Sequence, residues 1–274
     1  PVFEEYRGQL ASRKLKEVDD AYREIAEMIA TEQGSELGYA AIVIDETQDF
    51  GAQALKLLRA MIACGPNDLF FVGDGHQRIY SRNRAAMSRC GIDIRGRSRK
   101  LYLNYRTTDE IRRQAVALLE GCAIDDLDDG HDETKRYKSL SHGPAPEVRK
   151  TSGLEEAAAA TIAFIQQWRG AQAENESLSF CVVSYSEKTR DALGQQLQAA
   201  GIASVPITAQ SNHAQARNIV HLATMHRAKG LEFDCVIVVT PDSYLGPAEE
   251  TAGYRRLLYV ALTRAKRGAL LLQV

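Results

Sequence analysis

Ala41-Ile42-Val43-Ile44-Asp45-Glu46-Thr47-Gln48-Asp49 is the stretch from which the fold is read. Ala41 to Ile44 form an unbroken run of small or β-branched apolar residues, the pattern of a strand buried on both faces of a parallel sheet. Two carboxylates, Asp45 and Glu46, follow at once. They are expected at the carboxyl edge of the sheet, where open α/β folds bind their ligands. Adjacent acids at that edge suit a divalent cation and an attacking water. A turn or a helix cap accounts for a bare Asp-Glu equally well, so the reading depends on the rest of the chain.

With 274 residues, 45% hydrophobic and 26% charged, the chain is long enough for two domains of ordinary size. No run approaches the roughly 18 apolar residues of a membrane span, and the opening PVFEEYRGQL lacks the features of a signal peptide. A cytoplasmic protein with no membrane partner is expected. Cys64, Cys90, Cys122, Cys181 and Cys235 are scattered and odd in number, which points to buried thiols rather than a disulfide framework or a paired metal site. The formal net charge is −2, yet residues 78 to 113 are rich in arginine, and Asp125 to Glu133 is the acidic counterweight.

Before the central strand, Leu15, Val18, Tyr22, Ile25 and Ile29 recur at helical spacing, so a helix with a possible break is expected from about Glu4 to Thr31, its apolar face in the core. After it come a helix over Ala54 to Cys64, stopped by Gly65-Pro66, and a second buried strand over Asp68 to Gly73. Residues 121 to 153 read as loop and linker between domains or as an edge hairpin. The remainder alternates: helix Leu154 to Trp168, strand Ser179 to Ser184, helix Glu187 to Ala200, a strand within Ile219 to Thr224, strand Cys235 to Thr240, and a helix within Tyr254 to Lys266.

Five stretches carry chemistry. Asp45-Glu46-Thr47-Gln48-Asp49 is the first, and Gly73-Asp74-Gly75-His76-Gln77-Arg78-Ile79-Tyr80 the second. His76 is read there as a solvated loop histidine, because no second His or Cys at ligand spacing accompanies it. The third is Leu101-Tyr102-Leu103-Asn104-Tyr105-Arg106-Thr107, leading into a helix capped by Thr107 or Thr108. The fourth, Thr224-Met225-His226-Arg227-Ala228-Lys229-Gly230-Leu231-Glu232-Phe233-Asp234, is the most specific, and Tyr254 to Lys266, YRRLLYVALTRAK, is the last.

In this order the stretches resemble the second to sixth motifs of superfamily 1 DNA helicases, in the branch of UvrD, Rep and PcrA. The resemblance implies an α/β, RecA-like P-loop NTPase fold: a partial first RecA-like domain over residues 1–100 and a second over 101–274, without the large accessory insertion. It implies ATP and Mg²⁺ in a cleft between the domains, and single-stranded DNA, or DNA with a 3′ tail, as the track for 3′ to 5′ movement. By the same resemblance Asp45 and Glu46 serve the metal, Glu46 also acting as base toward water. Gln77 senses the γ-phosphate, while Arg106 and Arg264 reach it as cations whose planar forks cannot lose their charge. Tyr105 stacks on adenine and Glu232 bonds the ribose. Thr224 and His226 face the DNA backbone, with Tyr80 and Arg82 as base-contact candidates. Two departures mark the base contact: Arg78 replaces the usual serine, and Arg82 occupies a position where relatives often carry an aromatic.

No G-x-x-x-x-G-K-[ST] occurs in the sequence, and the chain begins with Pro1. The expectation is therefore a carboxy-terminal portion of a longer helicase that alone hydrolyses ATP poorly or not at all, with a sheet edge left open in the first domain. The alternative is a non-catalytic nucleic-acid-binding or regulatory module derived from a helicase.

Overall fold

The computed structural model describes residues 2–31, 37–80, 85–124, 126–127, 130, 136–171, 177–208 and 218–274. By internal contacts the chain divides into two units, Pro1–Arg99 with Ile124–Asp132, and Lys100–Ala123 with Glu133–Val274.

The first unit opens with α1 (Val2–Ser12) and α2 (Val18–Thr31), and between them Lys14 takes a left-handed turn at φ 54°. The apolar face expected in the core is not there: Leu15, Val18 and Ile25 are exposed, whereas Asp20 is buried and accepts from Arg7 and Arg23, each at 3.1 Å. The spacing sets the helix, and packing against α3 (Ala52–Ala60) covers only part of its surface. Strand β1 (Ile42–Ile44) pairs in parallel with β2 (Leu69–Phe71), Val43 opposite Phe70. Leu69 and Phe71 pack on a cluster of Leu55, Met87, Cys90 and Ile92. The other face is open, with Val43 71% and Phe70 62% exposed. The central strand is thus buried on one face, not two, because the described residues of this unit supply one covering layer.

In the second unit, β3 (Leu103–Asn104) pairs with β4 (Lys138–Ser139) and leads into α4 (Asp109–Leu118). The main sheet has six strands in the order β5 (Glu147–Lys150), β10 (Ala265–Gln273), β9 (Phe233–Thr240), β6 (Phe180–Ser184), β8 (Val220–Thr224), β7 (Ser204–Pro206), every pairing parallel. Helices α5 (Leu154–Gly170) and α6 (Glu187–Ala199) bury Phe164, Ile165, Leu193 and Leu197 against Phe180, Val182, Ile237 and Leu270. The alternate strand residues Cys181, Val183, Val236, Val238 and Leu271 are buried as well. Helices α4, α7 (Met225–Ala228) and α8 (Ala248–Leu262) also pack on this sheet, so both faces are covered, as an all-parallel sheet requires.

The fold class is α/β with parallel sheets, as read from the sequence. Two local readings change. Residues 121–153 hold β4 and the edge strand β5, not as a hairpin, since β4 pairs with β3 and β5 with β10; and the last helix stops at Leu262, so that Ala265–Gln273 becomes a strand between β5 and β9. Of the cysteines, Cys90, Cys181 and Cys235 are buried, but Cys64 is exposed. Among the described residues no helix is long and apolar enough to cross a membrane.

Candidate functional site

The first unit's chemistry sits where β1 and β2 end. Past Ile44 the backbone turns sharply: Glu46 lies in the left-handed region at φ 52°, and its N–H donates to Asp45 Oδ1 at 2.7 Å. A non-glycine residue held there is strained, and it persists only where its surroundings fix it. They do so here. Thr47 is buried, its N–H and hydroxyl both donating to the Val72 carbonyl at 3.0 and 2.7 Å. Gln48 is buried too; its Oε1 accepts from the Asp74 N–H at 2.9 Å and its Nε2 donates to Glu46 Oε2. Gly73 is the residue that admits this amide, because a Cβ there would lie 2.9 Å from Gln48 Oε1 and 3.2 Å from Thr47 Cβ.

Asp74 then caps the turn Gly75–Gln77. Its Oδ1 accepts from the His76 N–H and faces His76 Nδ1, both at 2.9 Å, while Oδ2 accepts from Gln77 Nε2 at 2.9 Å. His76 is 4% exposed, not solvated as its loop position suggests; the Asp74 carboxylate draws its ring inward. Burial acts to raise the Asp74 pKa, but the hydrogen bonds and charge from His76 and Gln77 outweigh it and hold the carboxyl below its usual range. Glu46, Gln48, Asp74 and Gln77 thus form one network across the two strand ends.

Asp45 is exposed, and its second carboxylate oxygen has no protein partner among the described residues. Among those residues no group of three His, Cys, Asp or Glu is placed to hold a metal ion. The open Asp45 oxygen fits Mg²⁺, which takes one or two carboxylates together with water and phosphate oxygens.

In the second unit, Asn104 builds the turn after β3. Its Oδ1 accepts from the Arg106 N–H at 2.8 Å, and its Nδ2 donates to Thr107 Oγ1 at 2.8 Å. Thr108 is the helix cap, accepting from the Ile111 N–H at 3.4 Å. This geometry leaves the Tyr105 ring 75% exposed and directs Arg106 to Glu232, Nε to Oε1 at 2.6 Å. Lys266 also reaches Glu232, at 3.0 Å. Burial acts to raise the Glu232 pKa, while Lys266 and the charges of Arg106 and Arg264 lower it and prevail. Arg264 lies inside the unit, 1% exposed, with Nε donating to the Val260 carbonyl at 3.0 Å. Thr224 starts α7, on which His226 is exposed, and Gly230 turns the chain toward Glu232 at φ 79°.

The structure therefore brings Asp45, Glu46 and Gln77 to adjoining strand ends, and Arg106 to Glu232. Tyr80 is exposed in the first unit; Arg82 lies outside the described residues. Sequence reading missed Gln48, Asp74, Asn104 and Lys266 as positioning groups. It also missed Arg255, whose guanidinium joins α8 to the end of α4 through the Leu118 and Glu120 carbonyls, both at 3.2 Å. All five stand inside the recognised stretches; which partner each reaches is set by residues far along the chain or across the turn.

Comparison with known proteins adds to this geometry. Residues 1–90 match the UvrD/REP helicase N-terminal domain, and residues 219–272 match the UvrD-like helicase C-terminal domain. Among solved structures, the C-terminal domain of a possible DNA helicase from Lactobacillus plantarum WCFS1 is similar at 23% identity and a TM-score of 0.44, over 62% of this chain and 88% of that one. No curated protein matches. The parallel α/β units, with acids at one strand end and an Asn-Tyr-Arg turn after another, carry the two halves of this family's pattern: the chain belongs to the UvrD-like helicases, whose domains are RecA-like.

Proposed function

We propose that this chain supplies the hydrolysis and sensing parts of an ATP-driven motor that moves 3′ to 5′ along single-stranded DNA, in a cytoplasmic setting. The observation that carries the proposal is the network joining Glu46, Gln48, Asp74 and Gln77 across the ends of two parallel strands. A Mg²⁺ ion that enters with ATP would supply positive charge against the negative charge developing on the phosphates. Asp45 offers the open carboxylate oxygen for it. Glu46, pinned by Gln48, takes a proton from the attacking water. Gln77, pinned by Asp74, orients that water or the terminal phosphate. In the second unit Tyr105 presents its face to adenine and Glu232 accepts from the ribose, while Arg106 supplies charge to the transferring phosphoryl group. Arg264 joins Arg106 in this role once its guanidinium leaves the Val260 carbonyl. Thr224 and His226 meet the strand's phosphates, and Tyr80 and Arg82 its bases.

A second reading is favoured by one fact: none of the 274 residues forms a G-x-x-x-x-G-K-[ST] loop. On that reading the chain binds nucleic acid without hydrolysing ATP. Tailed duplexes separate the two. With a phosphate-binding loop added ahead of residue 1, ATP-dependent displacement from a 3′-tailed duplex and none from a 5′-tailed one supports the motor. Strand binding that ATP never alters supports the second reading.

A further inference from the structure

His76 is buried at the strand-end network of the first unit, and the reading above gives it no task. Burying an imidazole costs free energy unless its polar atoms find partners. One partner is Asp74. Its Oδ1 faces two donors of the same residue, the His76 N–H and the ring Nδ1, each at 2.9 Å, while Oδ2 accepts from Gln77 Nε2 at 2.9 Å. The Asp74 carboxyl is held below its usual range, so at neutral pH it is ionised and can only accept. The ring atom that faces it is therefore Nδ1–H, and the end of the Gln77 amide that faces it is the NH₂.

This division of the carboxylate fixes a direction. The last torsion of an aspartate is broad and roughly two-fold, and Asp74 is half-buried, so water competes for its oxygens. A single bond from the turn N–H would leave the carboxylate able to rotate. A second bond to the same oxygen, from a ring that is itself buried, removes that freedom and keeps Oδ2 turned to Gln77. The backbone of Asp74 is held separately: its N–H donates at 2.9 Å to Gln48 Oε1, the amide whose other end donates to Glu46. The His76 ring thus acts on the Gln77 arm of the network and not on the Glu46 arm.

We infer that His76 is a positioning residue, whose buried ring locks the Asp74 carboxylate and thereby holds the Gln77 amide in one orientation at the strand end. This rests on the reading of Gln77 as the group that orients the attacking water or the terminal phosphate, and adds to it the residue that sets the direction of that amide.

The test uses two variants that imitate different ring nitrogens. In His76→Asn the amide nitrogen falls near the place of Nδ1 and can still reach Asp74; in His76→Gln it falls near Nε2 and cannot. In the 274-residue chain, hydrogen exchange of the Gln77 side-chain amide, followed by NMR, should be about tenfold faster in His76→Gln, the order of one lost hydrogen bond to a charged group. His76→Asn should retain the slow exchange, and the Asp74 backbone amide should be unchanged in both. In the chain extended by a phosphate-binding loop, single-turnover ATP hydrolysis should slow by about 10- to 100-fold in His76→Gln, the scale of a misplaced group, with ATP affinity unchanged and the rate restored in His76→Asn. Gln77→Ala in the same extended chain separates the two claims. If it is slow, then unchanged amide exchange or unchanged hydrolysis in His76→Gln, or equal losses in His76→Asn and His76→Gln, overturns the role of His76 while the reading of Gln77 stands. If Gln77→Ala hydrolyses ATP as fast as the wild type, the reading of Gln77 falls and the role of His76 falls with it.

Discussion

The two sheets of this protein begin from the same kind of sequence and end in different surroundings. Ile42-Val43-Ile44 and Phe180-Cys181-Val182-Val183 are both unbroken apolar runs. Every residue of β6 is buried between helical layers, whereas β1 turns Val43, 71% exposed, to the same open face as Phe70. An apolar run announces a strand of a parallel sheet; it does not say what covers the strand. Cohesion differs accordingly. The second unit rests on a two-sided core, while the first gains much of its order at the strand ends from polar cross-links through Thr47, Gln48 and Asp74.

That contrast can be broken by substitution. The largest effect is expected at Ile237, fully buried in β9: Ile237→Ala should lower the stability of the second unit by about 2–5 kcal/mol in urea denaturation, the usual cost of such a cavity. Next comes Gly73→Ala, whose Cβ would meet Gln48 Oε1 at 2.9 Å and the Leu127 Cδ1 at 3.0 Å. It should cost about 1–3 kcal/mol in the first unit and disturb the Glu46 network, which amide exchange at Asp74 reports.

A smaller effect follows from pH. Hydrogen bonds from His142 and from the Gly143 N–H hold the Glu110 carboxyl at about 2, down from 4.5. A depressed carboxyl contributes stability above its ordinary pKa and loses it as pH falls toward the depressed one. The tie between α4 and residues 142–143 should therefore loosen between about pH 4.5 and 2, and Glu110→Gln should flatten this part of the acid-unfolding curve. The smallest effect is expected on the open face, where Val43→Ala should change stability by no more than about 0.5 kcal/mol.

What was legible in the sequence was whatever is local. The acids after β1, the glutamine after β2 and the Asn104 to Thr108 turn are written within a few residues of a strand end, and Thr108 does cap α4. What was not legible depends on partners far along the chain. Ala265–Gln273 is a strand because β5 and β9 lie on either side, their paired residues standing 123 and 32 or 33 positions earlier in the chain. His76 is buried because Asp74 caps its turn and draws its ring in, and the stripe Leu15 to Ile29 is largely bare because few partners reach it. The motif around Arg264 predicts a cation that reaches phosphate, whereas its Nε donates to the Val260 carbonyl inside the second unit.

The most direct test of the account is ATP turnover, with and without single-stranded DNA, by a chain that adds a phosphate-binding loop to these 274 residues, compared with its Glu46→Gln variant. The account predicts strand-stimulated turnover that falls by about 10²- to 10⁴-fold in the variant, the range expected for loss of a general base, with ATP binding retained. Turnover undiminished in Glu46→Gln would contradict it.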